Sequence, residues 1–227
     1  MISRVSNIDF AEINRDDPFA MHRKEIEEFW DSCCRKDPSS YSETILNVFD
    51  IKESNQAYTL SMERINFYEA FYSKKTGNIK VSPLFSGGIL MTSDGYCCLA
   101  ADKNNDINLI GGLSSLTDYS NGRYDPEICL VREFLEETGA DIRGEHFSYS
   151  LKYIKTPDED ETYSPVGLIY EVRTSYGKDD IENIFNTSRH DSELGSLVFF
   201  RLEEKDIFSN NKRRPYINEL FTLLSGE

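Results

Sequence analysis

Four neighbouring side chains carry the densest potential chemistry in the chain: Arg132, Glu133, Glu136 and Glu137, within the run DPEICLVREFLEETGADI over residues 125–142. On a helix, positions i, i+3 and i+4 share a face, so the three glutamates are neighbours. Carboxylates placed this way repel one another, and an isolated E-x-x-E-E is most simply a solvated helix face. The same cluster of hard oxygen donors is also what Mg²⁺ or Mn²⁺ requires. A bound diphosphate would bridge such cations and share their charge. Arg132, directly before the cluster, is placed to neutralise and orient one of the acids.

The elements that must hold these residues can be read around them. Asp125 is a good N-cap, Pro126 suits the first helical position, and Gly139 is placed to end the helix. Leu130, Val131, Phe134 and Leu135 supply apolar contacts away from the acids. Upstream, INLIGGL (107–113) predicts a strand running into the pair Gly111-Gly112, followed by a polar loop, LSSLTDYSNGRY. Short strands are predicted at 44–49, 57–62, 147–154, 165–173 and 196–202. Two more, within 83–102, are joined by a turn at Ser93-Asp94-Gly95. Apolar spacings of three and four predict a helix over 21–35, and the aromatic stretch 65–72 is also read as helical. Helical or irregular segments are expected at 179–186 and 203–225, and residues 1–20 read as a partly ordered lead-in. The order of elements gives an α/β class with mixed sheets. A change of character near residue 80, with no Gly/Ser/Pro linker, divides an α+β extension (1–82) from a second part (83–227) that it packs against.

Composition narrows the function classes. The chain has 227 residues, 39% of them hydrophobic, enough to bury a core. A formal net charge of -15 disfavours nucleic acid and anionic membranes as partners. It also conflicts with a polyanionic substrate unless cations neutralise the site. Cys33, Cys34, Cys97, Cys98 and Cys129 form no C-x-x-C and read as free thiols in a reducing compartment. The first residues carry charges where a secretory signal needs an apolar run, so a cytoplasmic protein is expected.

The run REFLEETGA (132–140) resembles the second half of the Nudix box, R-E-U-x-E-E-x-G-U with U apolar, and matches every fixed position. The resemblance covers roughly residues 84–227 and implies an α/β/α sandwich with a mixed sheet. It implies that Glu133, Glu136 and Glu137 ligate Mg²⁺ (or Mn²⁺) with help from the Gly111 carbonyl, that one glutamate acts as base towards water, and that Arg132 orients a glutamate. Gly112 would then lie against substrate. Glu193, just before the apolar strand 196–202, matches a loop position where the family often keeps a catalytic glutamate; a surface acid is the equal alternative. The first half of the box departs from the family. The box places its glycine fourteen residues before the arginine, whereas Gly112 lies 20 before Arg132, so six residues are inserted. Counting back from the helix, the position of the first box glutamate holds Tyr124, with Asp125 or Glu127 as neighbouring substitutes. In the family that glutamate organises the loop.

The extension, the stretched box and the segments PLFSGGILMTSDG (83–95) and SELGSLVFF (192–200) together resemble the UDP-sugar-hydrolysing Nudix enzymes, which release UMP and a sugar 1-phosphate. That resemblance implies a nucleoside diphosphate-linked small molecule as partner, an extension that helps bind the nucleoside, and Tyr68 as a stacking candidate against the plainer reading of a core aromatic. Family members often dimerise, so a homodimer is an expectation of the same kind. Two alternatives stand beside this reading: a Nudix hydrolase of ADP-ribose or another nucleotide, and a non-catalytic nucleotide-binding module. The Tyr124 departure favours the module, and the intact glutamate set speaks against it. Lys155 and Arg173 are candidate phosphate contacts. The acidic run 158–161 reads as a solvated loop, and no metal spacing joins His22, His146 and His190.

Overall fold

The chain opens in sheet, where its polar composition suggests a lead-in. β1 (Ile2–Arg4) pairs antiparallel with β11 (Phe147–Lys155), and β2 (Asn7–Glu12) runs parallel to β4 (Ala57–Asn66). β1 is too short to show a period, and β2 is half exposed and alternates only through Ile8 and Phe10, a weak strand signal in sequence. The computed structural model describes residues 1–37, 42–188, 194–204 and 215–226.

The first sheet has the order β2-β4-β3, with β3 spanning Thr44–Ser54. α1 (Arg23–Lys36) and α2 (Phe67–Thr76) pack beside it. α2 starts where Asn66 and Glu69 satisfy each other's backbone in a capping box. Their core holds Ile26, Ile45, Ile65 and Tyr72. Ion pairs tie the segment before α1 to this layer: Arg15 clasps Glu63 at 2.5 and 2.6 Å, and Arg23 bridges Asp17 and Glu69.

The second sheet is mixed, in the order β1-β11-β12-β5-β6-β13. It uses β5 (Leu84–Met91), β6 (Cys97–Asp102), β12 (Val166–Thr174) and β13 (Leu194–Phe200). β5 and β12 are parallel, and the other pairs are antiparallel. Two short strands complete it: β7 (Ile107–Asn108) beside β6 and β8 (Ile110–Leu113) beside β5. The period of two sorts side chains onto opposite faces. Leu90, Cys98, Leu168 and Tyr170 face α3 (Pro126–Thr138) and α4 (Lys178–Ser188). Ile89, Leu99 and Ile169 share the other face with α5 (Pro215–Ser225). The result is the mixed α/β/α arrangement expected from sequence. The phenyl ring of Phe134 settles against Gly88, where a Cβ would meet it at 3.1 Å, so α3 sits close on the sheet.

Two local expectations differ from what is seen. Gly111 and Gly112 lie inside β8, opposite Gly87 and Ser86, instead of following a strand. The polar loop after them contains a 3₁₀ turn (Leu116–Asp118) and a two-stranded hairpin of β9 (Tyr119–Ser120) and β10 (Arg123–Tyr124). The hairpin turns at Asn121-Gly122, both with positive φ, 51° and 74°. Asn-Gly is the strongest short hairpin signal, and here it sits among polar neighbours that mask it.

Candidate functional site

α3 forms where its sequence dictates. The Asp125 Oδ1 accepts the Glu127 N–H at 3.0 Å, Pro126 occupies the first turn, and Gly139 closes the helix in the left-handed conformation. One side of the helix buries Leu130 and Phe134 in the sheet. The acidic side meets the glycine strand. The Gly111 N–H donates to the Glu137 Oε2 at 2.9 Å. A Cβ at Gly112 would collide with the Glu133 carboxylate, and one at Gly111, whose φ is 152°, would strike the backbone of Ser86 and Gly87. Both glycines are therefore required by close approach.

Arg132 organises the acids. Its Nη1 donates to Glu133 at 2.6 Å and to Glu136 at 3.3 Å, while its Nε and Nη2 reach the two oxygens of Asp118 at 3.0 and 3.1 Å. Asp118 is fully buried and also accepts the Ser115 N–H at 2.7 Å. Burial works against the Arg132 charge, but the Asp118 and Glu133 carboxylates outweigh it and hold the guanidinium protonated. The Glu133 side chain is only 12% exposed, and burial pushes its carboxyl up to about 7 against the pull of Arg132. Among the described residues, no group of three or more His, Cys, Asp or Glu side chains is arranged to hold a metal ion. Glu133 and Glu136 turn to Arg132, and Glu137 turns to the Gly111 amide.

Asp118 is the residue that sequence reasoning missed. It stands six positions after Gly112, the spacing that G-x5-E requires, with aspartate for glutamate. The insertion lies after this acid, and counting from the glycine instead of from the helix finds it. The places considered instead have other occupations. Tyr124 is a buried core residue, its hydroxyl 2.6 Å from the Ser114 Oγ and its ring edge-on to Phe10 at 5.0 Å. Asp125 caps α3, and Glu127 lies in its first turn.

The inserted hairpin rests on the extension. The Tyr119 hydroxyl donates to Glu12 at 2.8 Å, and the Arg64 guanidinium covers the Tyr119 ring at 5.4 Å. β3 reaches the same loop, since Leu46 N–H donates to the Ser114 carbonyl at 3.0 Å and Ile45 bridges Ser115. Glu43, just before β3, feels the cluster: its carboxyl is raised by burial and by Asp118 and Glu136, with Arg132 opposing. Tyr68 packs on Trp30 between α1 and α2, with ring centroids 5.9 Å apart. Glu193 and His190 lie outside the described residues.

A cleft of about 1040 Å³ adjoins the cluster, with Gly111, Gly112 and Glu137 in its wall. Lys155 also lines it and donates to the Pro165 carbonyl at 2.7 Å. Arg173 is at the opposite end of β12, paired with Glu171 at 2.9 Å. Cys97, Cys98 and Cys129 are buried, and all five cysteines are free. No helix among the described residues is long and apolar enough to cross a membrane.

Compared by sequence, the chain matches no family model and no curated protein. Its fold has counterparts among solved structures. A NUDIX-family hydrolase from Clostridium perfringens superposes with a TM-score of 0.42 at 16% identity, covering 62% of this chain and 97% of that one. An Ap4A hydrolase from C. elegans gives 0.44 at 11% identity, covering 63% of this chain and 96% of that one. The NUDIX domain of NrtR from Shewanella oneidensis, solved with ADP ribose, gives 0.38 at 14%, covering 62% and 86%. At these identities the functional reading rests on the chain's own residues.

Proposed function

We propose that this chain is a Nudix hydrolase that uses a divalent cation to cleave the diphosphate bond of a nucleoside diphosphate-linked compound. The observation that carries the reading is the seating of α3 on the glycine strand, with Glu133 against Gly112, Glu137 on the Gly111 amide and Arg132 locked to Asp118. The fit to a cation is chemical. The donors are all hard carboxylate oxygens, and the buried Glu133, raised to about 7, is an acid whose ionised form a nearby cation would stabilise. Glu133, Glu136 and Glu137 would hold Mg²⁺ or Mn²⁺, aided by the Gly111 carbonyl. When bound, the cation supplies the charge that neutralises the diphosphate oxygens.

The remaining tasks fall to the protein. Arg132 fixes the Glu133 rotamer, and Asp118 fixes Arg132. Gly112, without a side chain, lets the Glu133 carboxylate lie against the strand, and it stays a candidate contact for the diphosphate. A glutamate takes the proton from water as the new P–O bond forms and the bridging P–O bond breaks. Glu193 is the second candidate for that step. The finer reading is a UDP-sugar substrate, giving UMP and a sugar 1-phosphate, in a cytoplasmic enzyme. It rests on the pairing of the extension with the stretched box, and it keeps Tyr68 as a stacking candidate.

The test is a product assay. The protein is incubated with Mg²⁺ and a panel of UDP-sugars, ADP-ribose, dinucleoside polyphosphates and nucleoside triphosphates, beside Glu137→Gln. UMP plus sugar phosphate supports the finer reading. AMP plus ribose 5-phosphate keeps the hydrolase but changes the substrate. Binding without turnover under Mg²⁺ and Mn²⁺ leaves a non-catalytic nucleotide-binding module.

A further inference from the structure

The cleft beside Glu137 has a wall that the second part of the chain does not make alone. The segment 156–165, between β11 and β12, is sewn to the end of the extension. Val81 bridges Tyr163, the Val81 N–H donates to the Thr162 carbonyl at 2.8 Å, and the Ser164 N–H donates to the Val81 carbonyl at 3.2 Å. Lys80 adds a contact from its ammonium to the Glu159 carbonyl at 3.0 Å. Above this seam, α2 delivers Lys74 into the cleft, its Nζ 5.1 Å from the centre of the Tyr163 ring.

Charge makes that placement matter. The cleft wall carries Asp102, Glu137, Asp158, Asp160, Glu161 and Glu219. Such a surface repels an anion, and three lysines in the same wall offset it: Lys74, Lys103 and Lys155. Lys155 points its ammonium at the Pro165 carbonyl and, at 3.4 Å, the Ser164 Oγ, which closes the base of the segment. The Lys74 ammonium stands over the Tyr163 ring at the seam, where a cation–π contact holds it in the cleft wall.

We infer that Lys74, from the N-terminal extension, is a substrate-binding residue: it receives the anionic oxygens of a nucleoside diphosphate compound in the cleft next to Glu137. The inference deepens the proposed function and rests on it for the substrate class. It makes the extension part of the binding site as well as a support for it.

The experiment measures binding of UDP-glucose and of ADP-ribose, each with Mg²⁺, to the full chain by calorimetry, alongside turnover. Lys74→Met is compared with Lys74→Arg and with Lys75→Met. Lys75 is the next residue on the same helix, directed at the Phe71 ring at 5.3 Å and absent from the cleft wall. Lys74→Met is expected to weaken binding of the preferred compound by about fivefold or more at low salt, with the difference shrinking as salt is raised. Lys74→Arg should retain binding, and Lys75→Met should match the wild type. Equal affinity in Lys74→Met and wild type, or equal losses in Lys74→Met and Lys75→Met, overturns the role of Lys74 while leaving the hydrolase intact. Binding that depends on Lys74 without any turnover overturns the hydrolase and leaves this inference standing. A wild type that binds neither compound overturns the inference.

Discussion

The Asp118 carboxylate holds the Arg132 guanidinium through two hydrogen bonds of 3.0 and 3.1 Å, across 14 positions of sequence that include an inserted hairpin. The pair is bidentate and Asp118 is wholly buried, so the geometry is the strong kind for an arginine and a carboxylate. It sets where the other guanidinium nitrogen points, and that nitrogen meets Glu133 and Glu136.

Removing Asp118 should therefore cost more than a surface ion pair. Asp118→Ala strips a partly buried guanidinium of its main partner, a loss of roughly 3 kcal/mol by denaturant unfolding. Turnover should fall with it even well below the unfolding midpoint, because Glu133 loses its fixed donor. A stability change under about 0.5 kcal/mol would mean that solvent or Glu133 replaces the lost partner.

Glu137→Gln should behave differently. The amide oxygen can still accept the Gly111 N–H, so the fold should be retained. The lost charge should lower kcat by a factor on the order of a hundred, about 3 kcal/mol in transition-state stabilisation. A variant with wild-type kcat would place the chemistry elsewhere.

The two kinds of glycine near the site separate strain from collision. At Gly122, φ is 74° and nothing lies within 4 Å of an added Cβ, so Gly122→Ala should cost only the left-handed backbone penalty of about 1 kcal/mol. At Gly112 an added methyl would strike the Glu133 carboxylate. Gly112→Ala should therefore displace Glu133 and reduce kcat far more than Gly122→Ala does. Comparable kcat in the two variants would argue against tight apposition of α3 and β8.

Glu133 predicts a pH signature in the cation-free protein. Its carboxyl is raised in the fold from 4.5 to about 7, so the folded state binds its proton more tightly than the unfolded state does. Below about pH 4.5 both states are protonated and the group costs nothing. As pH climbs to 7, the ionised form is penalised by burial, up to about 3 kcal/mol. Chelator-treated protein should thus lose stability from this group between pH 5 and pH 8, and Glu133→Gln should remove that component. Mg²⁺ should raise the Tm more at pH 8 than at pH 5; equal shifts at both would count against Glu133 as a ligand.

The hairpin and the extension should be energetically coupled. Tyr119→Phe removes the hydroxyl that donates to Glu12, and Glu12→Gln removes the charge that also pairs with Arg64. In a double-mutant cycle the two should show a coupling of about 0.5 kcal/mol or more. Additive effects would mean that the inserted hairpin holds its place without this contact.

How much of this was legible in the sequence follows from where each interaction lies. The α3 segment could be read completely, because caps, the i, i+4 spacing of acids and the closing glycine act within one stretch of chain. The α/β class could be read from the order of short strands and helices, and the α/β/α layering followed from the resemblance carried by REFLEETGA; β6 and β12 are apolar on both faces, as strands covered on both sides are. Asp118 and the role of Tyr124 could not be read by counting from the helix, because an insertion moves one side of the count and only the loop's path shows on which side it fell. β1 and β2 were hidden for a related reason, since their stability comes from partners at residues 153–155 and 57–62 and not from their own composition. The identities of the acids on α3 were thus determined locally by the sequence. What they face was decided by the tertiary structure: Gly112 against Glu133, Asp118 against Arg132 and Lys74 over Tyr163 are brought together only when distant strands pair, and that pairing depends on the whole buried core at once.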